Sequence, residues 1–362
     1  MNTQFSRRGI LQSTCAALLG QALAAPRSFA QEVAPTPPAP VPAVPFPAAA
    51  LEQRQALIQG YRQTLERMLA KMPLPIIDVE HHWGGGERIA LAKLIDNMDS
   101  NGVALTWLGP NEKHGSASSL RTCQQFAQRL VPTIVHGDGP RWHGHDLTLV
   151  QEIEDDAHSG AYFGMGEFEA RHYVSGSNNR DIHMPTDSAS FHGVFRTSQE
   201  TGLAFLYHHE AEDALLPELE KMLALYPKAR IVWCHVGRNR NPQTWTQLPT
   251  PQGVAAFIQK YPNLHFDILQ SGAGSIFPPT GAAESVLYYG NKSPTLRSEW
   301  ATLFNTYPER FLIGSDINTF RWNNYSDVIF RLRSAVLRVL TPDAAEKIAY
   351  KNAWRLMTGQ DW

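Results

Sequence analysis

Six polar residues, Glu80, His82, Glu167, His208, His235 and Asp316, each stand at the end of a short apolar run. Carboxylates and imidazoles in this combination are ligands for a divalent metal; Zn is the leading expectation, and Mn, Fe or Co are also compatible. Taken singly, each residue has an ordinary role. A strand-end histidine is more often a hydrogen-bonded core or loop residue, Asp316 could cap a helix, and Glu80 could pair with an arginine. Taken together, they would bury several potential charges around one axis, and a cation would supply the neutralisation. The chemistry expected is metal-centred, with one or two ions.

The runs that carry these residues have strand length. They lie at 76–82, 162–168, 203–208, 231–235 and 311–316, and further runs at 102–108, 131–136 and 264–269 bring the set to eight. Helical patterns fill most gaps, most clearly at 213–226, 252–261 and 342–357. Alternating strands and helices imply a parallel sheet of the α/β class, and eight such units imply closure into a (β/α)8 TIM barrel. Reacting groups in that fold sit at the C-terminal strand ends, where all six polar residues fall.

Side-chain alternation predicts which neighbours point inward. On the first strand these are Asp78, Glu80 and His82. On the fifth, His208 shares the inner face with Leu206, leaving His209 outside. On the sixth, His235 pairs with Trp233 and Cys234 faces the helices; on the eighth, Asp316 follows Gly314 and Ser315 faces out. The irregular stretches 169–195 and 270–298 would lie over the same mouth. Arg171, Arg238 and Trp322 are candidate substrate contacts, since a guanidinium forks readily onto a carboxylate, although either arginine could equally pair with a local acid. His143 and His145 form a His-x-His on a Gly-rich stretch that reads as a solvated loop.

The 362 residues are 43% hydrophobic, enough for one large core. Residues 1–30 read as a twin-arginine export signal: Ser6-Arg7-Arg8-Gly9-Ile10-Leu11, an apolar stretch through Ala24, and small-residue cleavage options at Ala24 or Ala30. That stretch is too short to span a membrane, so the mature chain is expected without a span and in the periplasm or exported. Residues 31–48 are a Pro/Ala-rich linker, and 49–75 hold a helix over 49–72 with Leu51, Leu57, Tyr61, Leu65 and Leu69 on one stripe, ended by Pro73 and Pro75; the barrel domain is expected over 76–362. That helix is expected to cap the bottom of the barrel or to mediate oligomer contacts. Residues 31–362 carry 29 basic and 34 acidic side chains, a net of −5 without a basic block, which argues against nucleic acid as a partner. They keep two cysteines, Cys123 and Cys234, too few for a disulfide framework.

The segments IIDVEHHW, GMGEFEARHY, LYHHEAED, RIVWCHVGR, FLIGSD and KIAYKNAWRLM together resemble the amidohydrolase superfamily, in its amidohydrolase-related branch of (β/α)8 metal-dependent hydrolases, over residues 76–357. The resemblance implies metal ligation by Glu80, His82, His208 and Asp316. It places Glu167 where some members bridge two metals, and His235 as a second-metal ligand or a group polarising the substrate. It implies a small-molecule substrate and leaves a homodimer open.

In the hydrolytic reading Asp316 accepts a proton from a metal-activated water, His235 stabilises the oxyanion, and the substrate is an amide, lactone or ester-like carbonyl compound. Glu80-x-His82 replaces the common first-strand His-x-His, as in relatives that decarboxylate aromatic acids, so a metal-dependent decarboxylase is the alternative. A non-catalytic periplasmic metal- or ligand-binding barrel is a third.

Overall fold

Strand formation follows the density of β-branched and aromatic residues in the apolar runs. A computed structural model of the protein describes residues 46–83, 91–110, 115–134, 139–175, 180–268, 271–291, 293–318 and 321–362; the segment expected to be an export signal and most of the expected linker lie outside these. Among the described residues the parallel strands are β1 (Ile76–Trp83), β2 (Val103–Pro110), β3 (Leu130–Ile134), β4 (Gly164–His172), β5 (Ala204–His209), β6 (Arg230–Trp233), β7 (Leu264–Asp267) and β8 (Phe311–Leu312). Each pairs in parallel with the next. Isolated parallel bridges, Asp78 with Ile313 and His81 with Ile317, return β8 to β1 and close the barrel. The expected (β/α)8 architecture is the observed one.

Helices follow the strands where the sequence supplies caps. Asp146 accepts from Thr148 N at the start of Leu147–His158, and Thr250 accepts from Gly253 N with Pro251 in the first turn of Pro251–Lys260. Outward aromatic side chains fasten this layer to the sheet. Trp233, Phe266 and Phe311 stack along β6, β7 and β8 with centroids 5.7 and 5.9 Å apart, and Phe257 and Phe304 pack on them from the helices.

The first helix, α1 (Ala48–Leu69), lies under the N-terminal ends of the strands. Arg54 donates to the Tyr162 carbonyl (2.5 Å) just before β4, and Tyr61 donates to the Leu130 carbonyl (3.3 Å) at the start of β3. The buried stripe is Ile58, Tyr61, Thr64 and Leu65; Leu51, expected on it, is 45% exposed. The irregular stretches also hold more structure than their sequence suggests. β4 runs on to His172 and takes a short antiparallel partner, Ile182–His183, while 271–298 contains two ribbons, Ile276–Phe277 with Ala282–Ala283 and Leu287–Gly290 with Ser293–Leu296. No helix among the described residues is long and apolar enough to cross a membrane.

Arg333 ties the base together by donating to the carbonyls of Leu74 (2.6 Å), Asn101 (2.9 Å) and Gly102 (2.7 Å). Because these charge-assisted bonds hold the entries to β1 and β2, Arg333→Ala is expected to cost about 2–3 kcal/mol, read as a lower denaturant midpoint at unchanged slope. An unshifted midpoint would show that the clamp carries no stability.

Candidate metal centre

The strand ends bring all six polar residues into one cluster. Four groups of potential ligand atoms lie within 4.8 Å of one another: Glu167 with His208 and His235; Glu80 with His235 and Asp316; Glu80 with His82 and Glu167; and Glu80 with Cys234 and Asp267. Glu167 faces two ways. Its Oε1 is 2.5 Å from His208 Nδ1 and 3.8 Å from His235 Nε2, while Oε2 is 3.4 Å from His82 Nε2. His82 Nε2 is also 3.7 Å from Asp316 Oδ1. His82 and Asp316 form the rim, with 17% and 13% of their side chains exposed; Glu80 is fully buried at the floor.

Backbone shape, more than alternation, turns several of these groups inward. His235 (φ 60°) and Asp316 (φ 47°) both occupy the left-handed region, which non-glycine residues rarely adopt and which concentrates at functional sites. The strand of His235 ends at Trp233, one residue before the turn Cys234–Gly237. The expected alternation is therefore reversed there. Trp233 packs outward on Phe257, and Cys234 points in toward Glu80 and Asp267.

At β8 the strand ends at Leu312. Ser315, expected outside, is buried and donates to Asp78 Oδ2 (2.7 Å) and the Glu80 carbonyl (3.0 Å). Asp78, expected inward, is spent on that clasp because a register shift intervenes between Asp78 and His81. His208 and His209 divide as alternation predicts, His209 stacking on Tyr207 at 5.6 Å.

Two glycines allow the close approach. A Cβ on Gly314 would sit 2.9 Å from Glu80 Oε2 and 3.1 Å from the Asp267 carboxylate; one on Gly166 would meet the Leu206 carbonyl at 2.6 Å.

The electrostatics are those of crowded acid. Burial pushes the Glu80 carboxyl well above the usual range, and Asp267, Glu167, Asp316 and Asp78 add to the rise. Both of its side-chain oxygens are buried without a hydrogen-bond partner among the described residues. Burial would also raise Glu167, but His208 and His82 beside it hold it well below the ordinary value. Asp316 is likewise held low against burial, chiefly by Arg321 at 2.5 Å. His208 loses charge affinity to burial, yet Glu167 lifts it to about 9. Hard oxygen and borderline nitrogen donors around an orphaned carboxylate fit a divalent first-row cation.

The other expected contacts divide. Arg238 lines a cavity that His235 also borders. Arg171 does not join the cluster: its guanidinium bonds Glu212, Asp181 and the Ile182 carbonyl and stacks on Tyr173. Trp322 packs on His81 and Trp83, on the side of β1 turned from the cluster. His143 sits 3.1 Å from Glu169, and neither it nor His145 enters a ligand group among the described residues.

Several further groups support the cluster. His172 stacks on His208 at 4.5 Å. Glu210, two residues beyond His208 on the same side of the chain, approaches its Nε2 (3.9 Å) and pairs with Arg240 (2.5 Å). That spacing was the available signal. Arg321, shortly after Asp316 in the chain, is its ion-pair partner.

A closed barrel that gathers imidazoles and carboxylates at its C-terminal strand ends is the class of protein built to present a cation to a small substrate. The chain belongs to the amidohydrolase family: the family model described as Amidohydrolase matches residues 122–357. Glu80 and His82 precede the matched region. No curated protein matches the chain.

Similar solved structures include 4-oxalomesaconate hydratase from Rhodopseudomonas palustris, 14% identical, covering 78% of this chain and 95% of that one with a TM-score of 0.45. An amidohydrolase from Burkholderia multivorans with bound zinc is 13% identical, with coverage of 78% and 99% and a TM-score of 0.46.

Because the fold raises the pKa of Glu80 above its unfolded value, that carboxyl costs stability at neutral pH unless a cation offsets it. In chelator-treated protein Glu80→Gln is expected to melt higher than wild type by about 2–4 °C, and excess divalent ion should reverse the order. Wild type melting higher under both conditions would show that Glu80 is not an uncompensated charge.

Proposed function

We propose that the protein is a metal-dependent hydrolase acting on a small amide, lactone or ester-like carbonyl compound, exported through the twin-arginine route on the strength of the Ser6–Leu11 pattern. The observation that carries the reading is the meeting of Glu80, His82, Glu167, His208, His235 and Asp316, with His82 and Asp316 at its open rim. With two ions present, Glu80, His82, Glu167 and Asp316 would hold one and Glu167, His208 and His235 the other, since the two carboxylate oxygens of Glu167 face opposite ways.

A bound cation there supplies Lewis acidity and draws the pKa of a water from about 15.7 toward about 7. Asp316 takes the proton from the attacking water and delivers it to the leaving group. Its pairing with Arg321 keeps it in the ionised, proton-accepting form despite burial. His172, pushed down to about 2 by burial and by His208, is neutral and holds the His208 ring by stacking instead of by charge. The floor of buried side chains excludes bulk water from Glu80.

One feature favours a carboxy-lyase instead: Glu80 stands where the common first-strand pair has histidine. In that reading an ionised Asp316 leaves protonation of the product carbon to a histidine of the cluster. Product analysis separates the two, carbon dioxide from an aromatic acid against a cleaved amide or ester.

Metal analysis of the purified protein is expected to find about two ions per protomer in wild type and about one in Glu167→Gln, as a shared ligand requires. Equal contents would remove the bridge. Asp316→Asn should lower turnover of the identified substrate by about 100-fold to 10,000-fold. Undiminished turnover in that variant would end the assignment of Asp316 as the proton carrier.

A further inference from the structure

A cavity of about 310 Å³ lies beside His235, walled by the segment after β6 and by the ribbon region after β7. His235 belongs both to this wall and to the cluster, so a molecule filling the cavity abuts the reactive centre. The volume is at the small end of ligand sites and suits a single ring or a short chain.

Two donors on the wall are buried without an acceptor among the described residues: Nε of Arg238 and the indole Nε1 of Trp245. Buried donors are ordinarily satisfied, so unmet ones on two side chains that line a single cavity mark those side chains as uncommitted to the protein's own acceptors. Arg240, two residues on, makes the contrast: it is held by Glu210 at 2.5 Å and by Glu284 at 2.9 Å. Those acids are therefore engaged and leave the Arg238 guanidinium to the cavity, where Glu210, Glu284 and Asp316 attract it only from a distance. Arg297 adds a second cationic group on the opposite wall, and the buried Trp300 adds apolar surface.

We propose that this cavity takes a carboxylate carried by the substrate away from its reacting carbonyl, on a flat apolar body, and that Arg238 selects for it. A guanidinium presents parallel donors that match a carboxylate, and the Trp245 N–H supplies a further one. Glu284 and Glu299 on the same wall offset part of the positive field, which favours a singly charged carboxylate over a doubly charged phosphate. The word substrate rests on the hydrolase reading of the adjoining cluster; binding of the carboxylate does not.

The test is calorimetric titration of the purified full chain with benzoate and with benzamide, its neutral analogue, before and after chelation. Wild type is expected to bind benzoate more tightly than benzamide in both conditions. Arg238→Gln should weaken benzoate by at least about tenfold and change benzamide by less than about twofold. Arg238→Lys and Trp245→Phe should give intermediate losses, and they carry the test if Arg238→Gln does not fold.

Benzoate binding that is absent, or indifferent to all three substitutions, overturns the proposal. Binding that vanishes on chelation yet survives in Arg238→Gln also overturns it, by placing the carboxylate on the cation. Purified protein that takes up no divalent ion on loading yet loses benzoate in Arg238→Gln would refute the metal reading and uphold this one.

Discussion

Four carboxylates, those of Glu80, Glu167, Asp267 and Asp316, meet at the mouth of the barrel, and the surrounding structure is arranged around holding that much acid out of water. Three have local answers. Glu167 lies against His208, Asp316 against Arg321, and Asp267 receives the backbone N–H of His235 at 3.1 Å. Glu80 has none among the described residues. Removing water from a carboxylate costs several kcal/mol when nothing replaces the hydration, so burying Glu80 completely leaves its charge to be met by a proton or by a cation.

The same constraint accounts for the scaffolding. Ser315 and the Asp316 backbone clasp the end of β8 to Asp78 and to the Glu80 carbonyl, so the last strand is registered on the first by polar bonds at the mouth itself. Glu210, Arg240 and Glu284 then link the end of β5 to the segments that follow β6 and β7. Buried ion networks of this sort add little net stability, but once satisfied they fix geometry. Their cost is offset by the aromatic column on the outer face and by the apolar core of the helix layer.

Much of this was legible from residue types. The eight strands, their parallel order and the position of the six polar residues follow from apolar runs of strand length, because a parallel strand covered on both faces must be apolar until it reaches the mouth. The reading failed where a period of two was extended past a strand's true end. Trp233 and Cys234 exchanged faces because the backbone at His235 leaves the β region, and Ser315 turned inward because Asp316 does the same. Gly314 and Gly237 stand beside these two turns, but a glycine alone does not say which neighbour leaves the β region. Pairing with a local acid was one of the two roles the sequence allowed Arg171, and Asp181 fills it; Glu212, and His81 and Trp83 for Trp322, come from positions too distant for the sequence to name. Among the described residues no acid claims Arg238 in this way.

The seating of α1 has a consequence for how this enzyme is handled and displayed. Phe46 lies against Gly160, directly before β4, so the polypeptide enters the domain on the pole opposite the reactive centre. A handle or surface linkage joined directly at Phe46 starts on the side away from the cluster and leaves the barrel mouth open to solution.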